Sequence, residues 1–114
     1  MQLKKVVDML ELTLVSGEEG LEKEVDGGYL SDLLSDVIAH SQKGDLWITL
    51  QVHQNTVAVA VLKELAGIVI VGSKTPAEDT LKKAKEKNVT LLTTTLPAFE
   101  VAGRLYALGL RGKG

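Results

Sequence analysis

Residues 45–72, DLWITLQVHQNTVAVAVLKELAGIVIVG, read as strand, polar turn, helix and strand. Residues 45–52 carry the β-branched and aromatic side chains of a buried strand, and residues 68–71 form a short unbroken apolar run. Between them, His53, Gln54, Asn55 and Thr56 are the polar break. A strand–helix–strand crossover joins parallel strands and places that break at the carboxyl end of the first, where open α/β sheets collect their ligands. Residues 56–66 are ambiguous. Val57, Val59 and Val61 alternate with alanine, as in one arm of a β-hairpin, but the run closes on Leu62-Lys63-Glu64-Leu65-Ala66 and a glycine, which are helix formers followed by a C-cap. We read a helix. Its apolar surface runs almost all round, which implies burial on more than one side, in a central layer or at a subunit interface.

Upstream, Leu3, Val6, Val7 and Leu10 recur at i, i+3, i+4 and i+7, the spacing of one face of an amphipathic helix over residues 2–10. From Leu10 the period changes to two, with Leu12 and Leu14 alternating with Glu11 and Thr13 in a half-exposed strand that ends at the Ser16-Gly17-Glu18-Glu19-Gly20 turn. Residues 22–25 are a candidate second strand, and Asp26-Gly27-Gly28 reads as a turn. Ser31 is a suitable N-cap with Asp32 in the first turn, and Leu33, Leu34, Val37 and Ile38 make the apolar stripe of a helix closed by Gly44.

Downstream, Thr75-Pro76-Ala77-Glu78 has the form of a capping box with proline at the first helical position. Leu81 and Ala84 face inward, while Glu78 and Asp79 sit four residues before Lys82 and Lys83, so the lysine-rich stretch to Lys87 reads as a solvated face. Residues 89–94 form a strand. Thr95-Leu96-Pro97 opens a last helix with Ala98, Val101, Ala102, Leu105 and Leu108 inward, stopped by Gly109, and residues 110–114 should fray. The strand–helix alternation predicts one α/β domain spanning residues 1–114, a layered fold with a mostly parallel sheet flanked by helices.

Composition narrows the function. A net charge of −2 and an aromatic content of 4% do not fit a chain that tracks phosphate backbones or stacks bases, so no nucleic-acid partner is expected. With no cysteine, thiol catalysis and thiolate metal sites are excluded. No run of about 18 apolar residues and no signal-peptide pattern is present, so a membrane partner is not expected and a cytoplasmic setting is the default. His40 and His53 are the two histidines and match no metal motif, so neither a metal nor a cofactor is expected.

Three polar turns stand out. Gln51, His53, Gln54 and Asn55 follow the first strand of the crossover, where they either contact a ligand or cap the next helix. Ser73 and Lys74 follow the second strand. The stretch GIVIVGSKT, residues 67–75, is not a P-loop, because Ser73 separates glycine from lysine and the residues between the glycines are a strand. Thr93, Thr94 and Thr95 end the last strand and serve either as anion ligands or as strand and cap residues. No nucleophile elbow or motif-placed carboxylate pair nominates an enzyme.

Residues 44–106 resemble a DRTGG domain, a module also similar to the N-terminal domain of HPr kinase/phosphatase. The features that carry this are Gly44-Asp45 before an Ile-Thr strand, the strand of residues 68–72, Pro76 opening a helix, Ala84-Lys85, residues 91–94 and Phe99-Glu100-Val101-Ala102, together with DGGYLSDLLSDV at residues 26–37. The resemblance implies a regulatory module, often joined to nucleotide-sensing CBS domains or metabolic enzymes, without chemistry of its own. At the name-giving motif this sequence has Val52-His53 in place of an Asp-Arg pair and Asn55 in place of an acidic residue. The leading expectation is a standalone module that senses an anionic metabolite or nucleotide through Gln51, His53, Gln54, Asn55, Ser73, Thr94 and Thr95. The alternative is a homo-oligomeric scaffold, most simply a homodimer, or a protein-interaction module, with no small ligand.

Overall fold

The structure is a computed structural model that describes residues 1–112. Five strands form one sheet in the order β1-β5-β4-β3-β2. Strands β2 (Gly27–Leu30), β3 (Asp45–Thr49), β4 (Gly67–Ile70) and β5 (Leu91–Thr93) are mutually parallel, and β1 (Thr13–Ser16) adds antiparallel to β5. The path from β2 to β5 steps one strand at a time in one direction. Right-handed crossovers therefore place α2 (Leu34–His40), α3 (Asn55–Lys63) and α4 (Glu78–Glu86) side by side on one face. Helices α1 (Leu3–Leu10) and α5 (Ala98–Ala107) cover the other.

The period-two alternation of the strands divides the core between these layers. Leu46, Ile48, Val69, Val71 and Leu92 pack on Leu3, Val6, Leu10, Val101 and Leu105, whereas Trp47, Ile68, Ile70 and Leu91 pack on Val37, Val57, Ala60 and Ala84. Every residue of β3 and β4 is buried, as expected of central parallel strands covered on both faces. Among the described residues no helix is long and apolar enough to cross a membrane.

The crossover of residues 45–72 forms as read, and α3 is a helix. Its inward residues Val57, Val59 and Ala60 are buried, but Ala58, Val61 and Leu62 face solvent, so within one copy of the chain it packs on one side only.

The N-terminal third departs from the sequence reading. Residues 18–22 wind into a 3-10 turn (Glu18–Glu22), and the expected strand at 22–25 reduces to a single bridge between Gln2 and Glu24. Gly27 and Gly28 lie inside β2, paired with Asp45 and Leu46, and neither takes positive φ. Ladder bonds to β3 use only their backbone, so the turn chemistry of the glycines goes unused. The first strand begins at Thr13, because Leu10 still belongs to α1 and Leu12 is tied to Val7.

Helix starts also differ. Ser31 Oγ accepts from Leu33 N, and α2 begins at Leu34 after an N-cap Leu33 without a side-chain cap bond. Of the expected stripe, Val37 is buried and Leu34 half-buried, while Leu33 and Ile38 are exposed. Helix α4 starts at Glu78 after Ala77, so the capping box of Thr75 does not form. Its start is pinned by another loop: Val52 O accepts both Ala77 N at 3.2 Å and Thr80 Oγ1 at 2.7 Å. The expected Glu78–Lys82 and Asp79–Lys83 pairs do not reach ion-pair distance. At the far end, Leu110 is buried and bonded to Leu105 O, so fraying does not begin there. The rest of that expectation, at residues 113 and 114, lies outside the described residues.

Candidate ligand site at the carboxyl ends of β4 and β5

Parallel strands end on one side of the sheet, and their following loops must meet there. The loop after β4 turns sharply: Gly72 and Ser73 both adopt left-handed backbone, with φ of 68° and 62°. Gly72 N donates to Leu96 O at 2.8 Å and Ser73 N to Thr94 O at 3.0 Å, which ties this loop to the one after β5. Between the two loops lies a cavity of about 330 Å³ lined by Ser73, Lys74, Thr75, Pro76, Thr93, Thr94 and Thr95, with Val15 of β1 and Leu81 of α4 as apolar wall. Thr94 Oγ1 accepts from Leu96 N, which orients the hydroxyl and leaves its proton available to donate.

The residues that line this space carry five hydroxyls and one ammonium between them. Lys74 makes no ion pair among the described residues. No carboxylate or imidazole lines the cavity. The hydroxyls and the lysine of this arrangement can hold an oxyanion. The cavity's size is at the small end of ligand pockets.

The expected site residues fall into two groups. Ser73, Thr94 and Thr95 come together in this cavity, and Gln51, His53, Gln54 and Asn55 lie outside it. Two of these side chains have local work: Gln51 Nε2 donates to Asp32 O at 2.8 Å, and His53 Nδ1 accepts from Asn55 N at 3.1 Å. Asp32 sits outside the first turn of α2. Its Oδ1 accepts from Thr49 Oγ1 at 2.9 Å and Leu50 N at 2.7 Å, which fixes the chain where β3 ends. The sequence reading did not include Thr75, whose hydroxyl joins only because the loop reverses at Gly72 and Ser73.

A larger cavity of about 500 Å³ lies at the opposite ends of the strands, lined by Lys23, Glu24, Asp26, Lys43, Glu64 and Lys87 around Val61, Leu65 and Val89. Its charges are mixed and partly paired already, with Lys43 Nζ 3.6 Å from Glu64. The α3 and α4 C-termini open there, an end of the helix dipole unfavourable to anions. The smaller cavity has no carboxylate among its lining residues.

One polar cluster lies apart, on α2. Asp36 accepts from Tyr29 OH at 2.9 Å and lies 3.0 Å from His40 Nδ1. Hydrogen bonding from Ser31, then from Tyr29, holds its carboxyl below the usual carboxylate value, with His40 adding to the effect. Desolvation, and then the bond to Asp36, raise the Tyr29 hydroxyl. The lowered carboxyl contributes stability that is present above the ordinary value of 3.8 and lost as pH falls through the folded value. Tyr29→Phe should move the Asp36 titration, followed by carboxyl NMR, to higher pH; an unmoved midpoint would mean that the phenol does not hold the carboxylate.

A family model described as the DRTGG domain matches residues 5–108. The chain belongs to the DRTGG domain family. The DRTGG fold seen here is also shared with a crystal structure of the CBS and DRTGG domains of the regulatory region of Clostridium perfringens pyrophosphatase, complexed with its activator diadenosine tetraphosphate. That match has a TM-score of 0.69 and 20% identity, and covers 96% of this chain. The DRTGG domain described here spans 47% of the other chain. No curated protein sequence matches it.

Proposed function

We propose that this DRTGG domain is a regulatory module that binds an anionic metabolite, through its phosphate or carboxylate, between the loops after β4 and β5, and that it performs no catalysis. The observation that carries this reading is the cavity lined by Ser73, Lys74, Thr75, Thr93, Thr94 and Thr95, with no carboxylate among its lining residues. Hydroxyls and a lysine supply the donors an oxyanion needs. The α4 dipole adds little, since Glu78 and Asp79 already occupy its first turn. Family membership supports the regulatory role, and the nucleotide bound by the pyrophosphatase regulatory region puts nucleotides among the ligands to try.

The test is a thermal-shift panel of inorganic phosphate, nucleotides, phosphorylated metabolites and carboxylates. A ligand at about a hundred times its Kd should add roughly 2.7 kcal/mol, a rise of several degrees for a domain of this size. Lys74→Met and Thr95→Val, both at exposed positions, should abolish the shift, and His53→Ala should preserve it. A shift lost in His53→Ala and kept in Lys74→Met would move the site to the loop after β3. A panel without any shift would favour an interaction module with no small ligand.

A further inference from the structure

The sheet has two edge strands, β1 and β2, and they are finished differently. At β1 the pairing with β5 shifts register between Leu14 and Ser16, an irregularity of the kind that blunts an edge. At β2 the register with β3 runs unbroken from Gly27 to Leu30, and the strand GGYL has neither charge nor proline. The ladder also fixes which groups point outward. Ala66 N donates to Asp45 O and Val71 N to Thr49 O, so alternate residues of β3 serve β4, which leaves Leu46 and Ile48 to serve β2. Ser31 N donates to Ile48 O, in keeping with that alternation. Gly28 and Leu30 therefore turn their N–H and C=O groups to the open edge, where they make no further hydrogen bond among the described residues.

A groove of about 160 Å³ runs beside this edge, lined by Gly28 and Leu30 of β2, by Ala102 and Tyr106 of α5, and by Leu110 and Arg111 after it. Gly28 has no side chain to fill it: a Cβ there would come no nearer than 3.8 Å to another atom. Arg111 is the one charged residue on the groove wall and makes no ion pair among the described residues. Its Nη1 donates to Tyr106 O at 2.6 Å and to Leu110 O at 3.0 Å, and its guanidinium carbon lies 3.8 Å from the centre of the Tyr106 ring. These contacts hold the group in place and leave the donors of Nε and Nη2, the fork that takes both oxygens of a carboxylate.

We propose that this edge binds an extended acidic segment of a partner protein, which adds a strand beside β2, sets an aliphatic side chain over Gly28 and brings a carboxylate to Arg111. The free N–H and C=O groups at alternate residues match a backbone in β conformation. The period of two then points every second side chain of the added strand to the α5 face, where the groove is apolar. The unpaired positive charge at the groove selects an acidic residue. With four residues in β2, roughly 13 Å of edge receives a segment of about five residues. The groove shares no residue with the cavity at Ser73 and Thr94, so the two sites can be filled together.

A phage-displayed library of random decapeptides, panned on the full chain and depleted on Gly28→Val, tests this. Valine suits a strand and its side chain would occupy the groove, so the variant should keep the circular dichroism spectrum of the wild type. Enriched peptides should carry aliphatic residues at alternate positions and an acidic residue. Added to isotope-labelled protein, a synthetic copy should move the amide NMR signals of Gly28, Leu30 and Ala102 and leave those of Ser73 and Val61 in place. Arg111→Glu, at an exposed position, gives an independent check: it should weaken that peptide by about tenfold or more and favour the version with lysine in place of the acid. No enrichment over Gly28→Val, enriched peptides without an acidic residue, signals that move only elsewhere, or unaltered affinity in Arg111→Glu would each overturn the proposal.

Discussion

Gly17→Ala should cost about 3–5 kcal/mol, a large part of the stability of a small domain. Gly17 adopts left-handed backbone, with φ 76° and ψ 42°. A Cβ there would lie 2.5 Å from Thr90 Cα and 2.6 Å from both Thr90 N and Val89 O. All three are backbone atoms at the entry to β5, so no side chain can swing away, and relief requires moving a strand. The left-handed conformation itself costs an alanine roughly 1–2 kcal/mol, and overpacking adds about 1–3 kcal/mol. Displacement would also break the bond from Thr90 Oγ1 to Gly17 O, 2.8 Å long. Urea unfolding measures the loss, and a change below about 1 kcal/mol would mean that β1 slides along β5 freely.

Trp47→Ala should cost a similar amount, about 3–5 kcal/mol, and lower the midpoint of thermal unfolding by more than 10 °C, at roughly 4–8 °C per kcal/mol. Trp47 is the one tryptophan and is fully buried between β3 and the α2–α3 layer. Its indole Nε1 donates to Ser31 O at 2.8 Å, just before the Asp32 carboxylate that holds Thr49 and Leu50. Trp47→Phe separates the two contributions. It keeps most of the packing but leaves Ser31 O without its donor, at about 1–3 kcal/mol. Amide exchange in residues 50–54 should then speed up while the cavity at Ser73 and Thr94 stays protected; equal effects in both places would show that the two loops open together.

The middle of the chain was legible because its signals are local. Strand 45–49 and strand 67–70 are unbroken apolar runs, and the helix formers at Leu62–Lys63 outweigh the valine–alanine alternation before them. The cavity was partly legible for a topological reason: once the strands are parallel, the loops after β4 and β5 must lie on one side, so Ser73, Thr94 and Thr95 converge. What could not be read depends on distant partners. Gly27 and Gly28 look like a turn until Asp45 and Leu46 are known to pair with them. Thr75 looks like a cap until Val52 O, more than 20 residues away, takes Ala77 N and Thr80 Oγ1. Asp32 looks like a helix-dipole residue until the end of β3 arrives beside it.

The antiparallel strand β1 has a consequence for the order of assembly. Ser16 Oγ donates to Val89 O and Thr90 Oγ1 to Gly17 O, each across 73 positions of sequence. On the ribosome, residues 13–16 are made early and wait for residues 91–93 before they can join the sheet. The β2–β3–β4 core and α2 and α3 have neighbours close in sequence and can form first, so sealing the edge of β5 is a late, long-range event. Until then the edge of the growing sheet is open, and a chaperone or a neighbouring nascent chain would compete with β1 for that place.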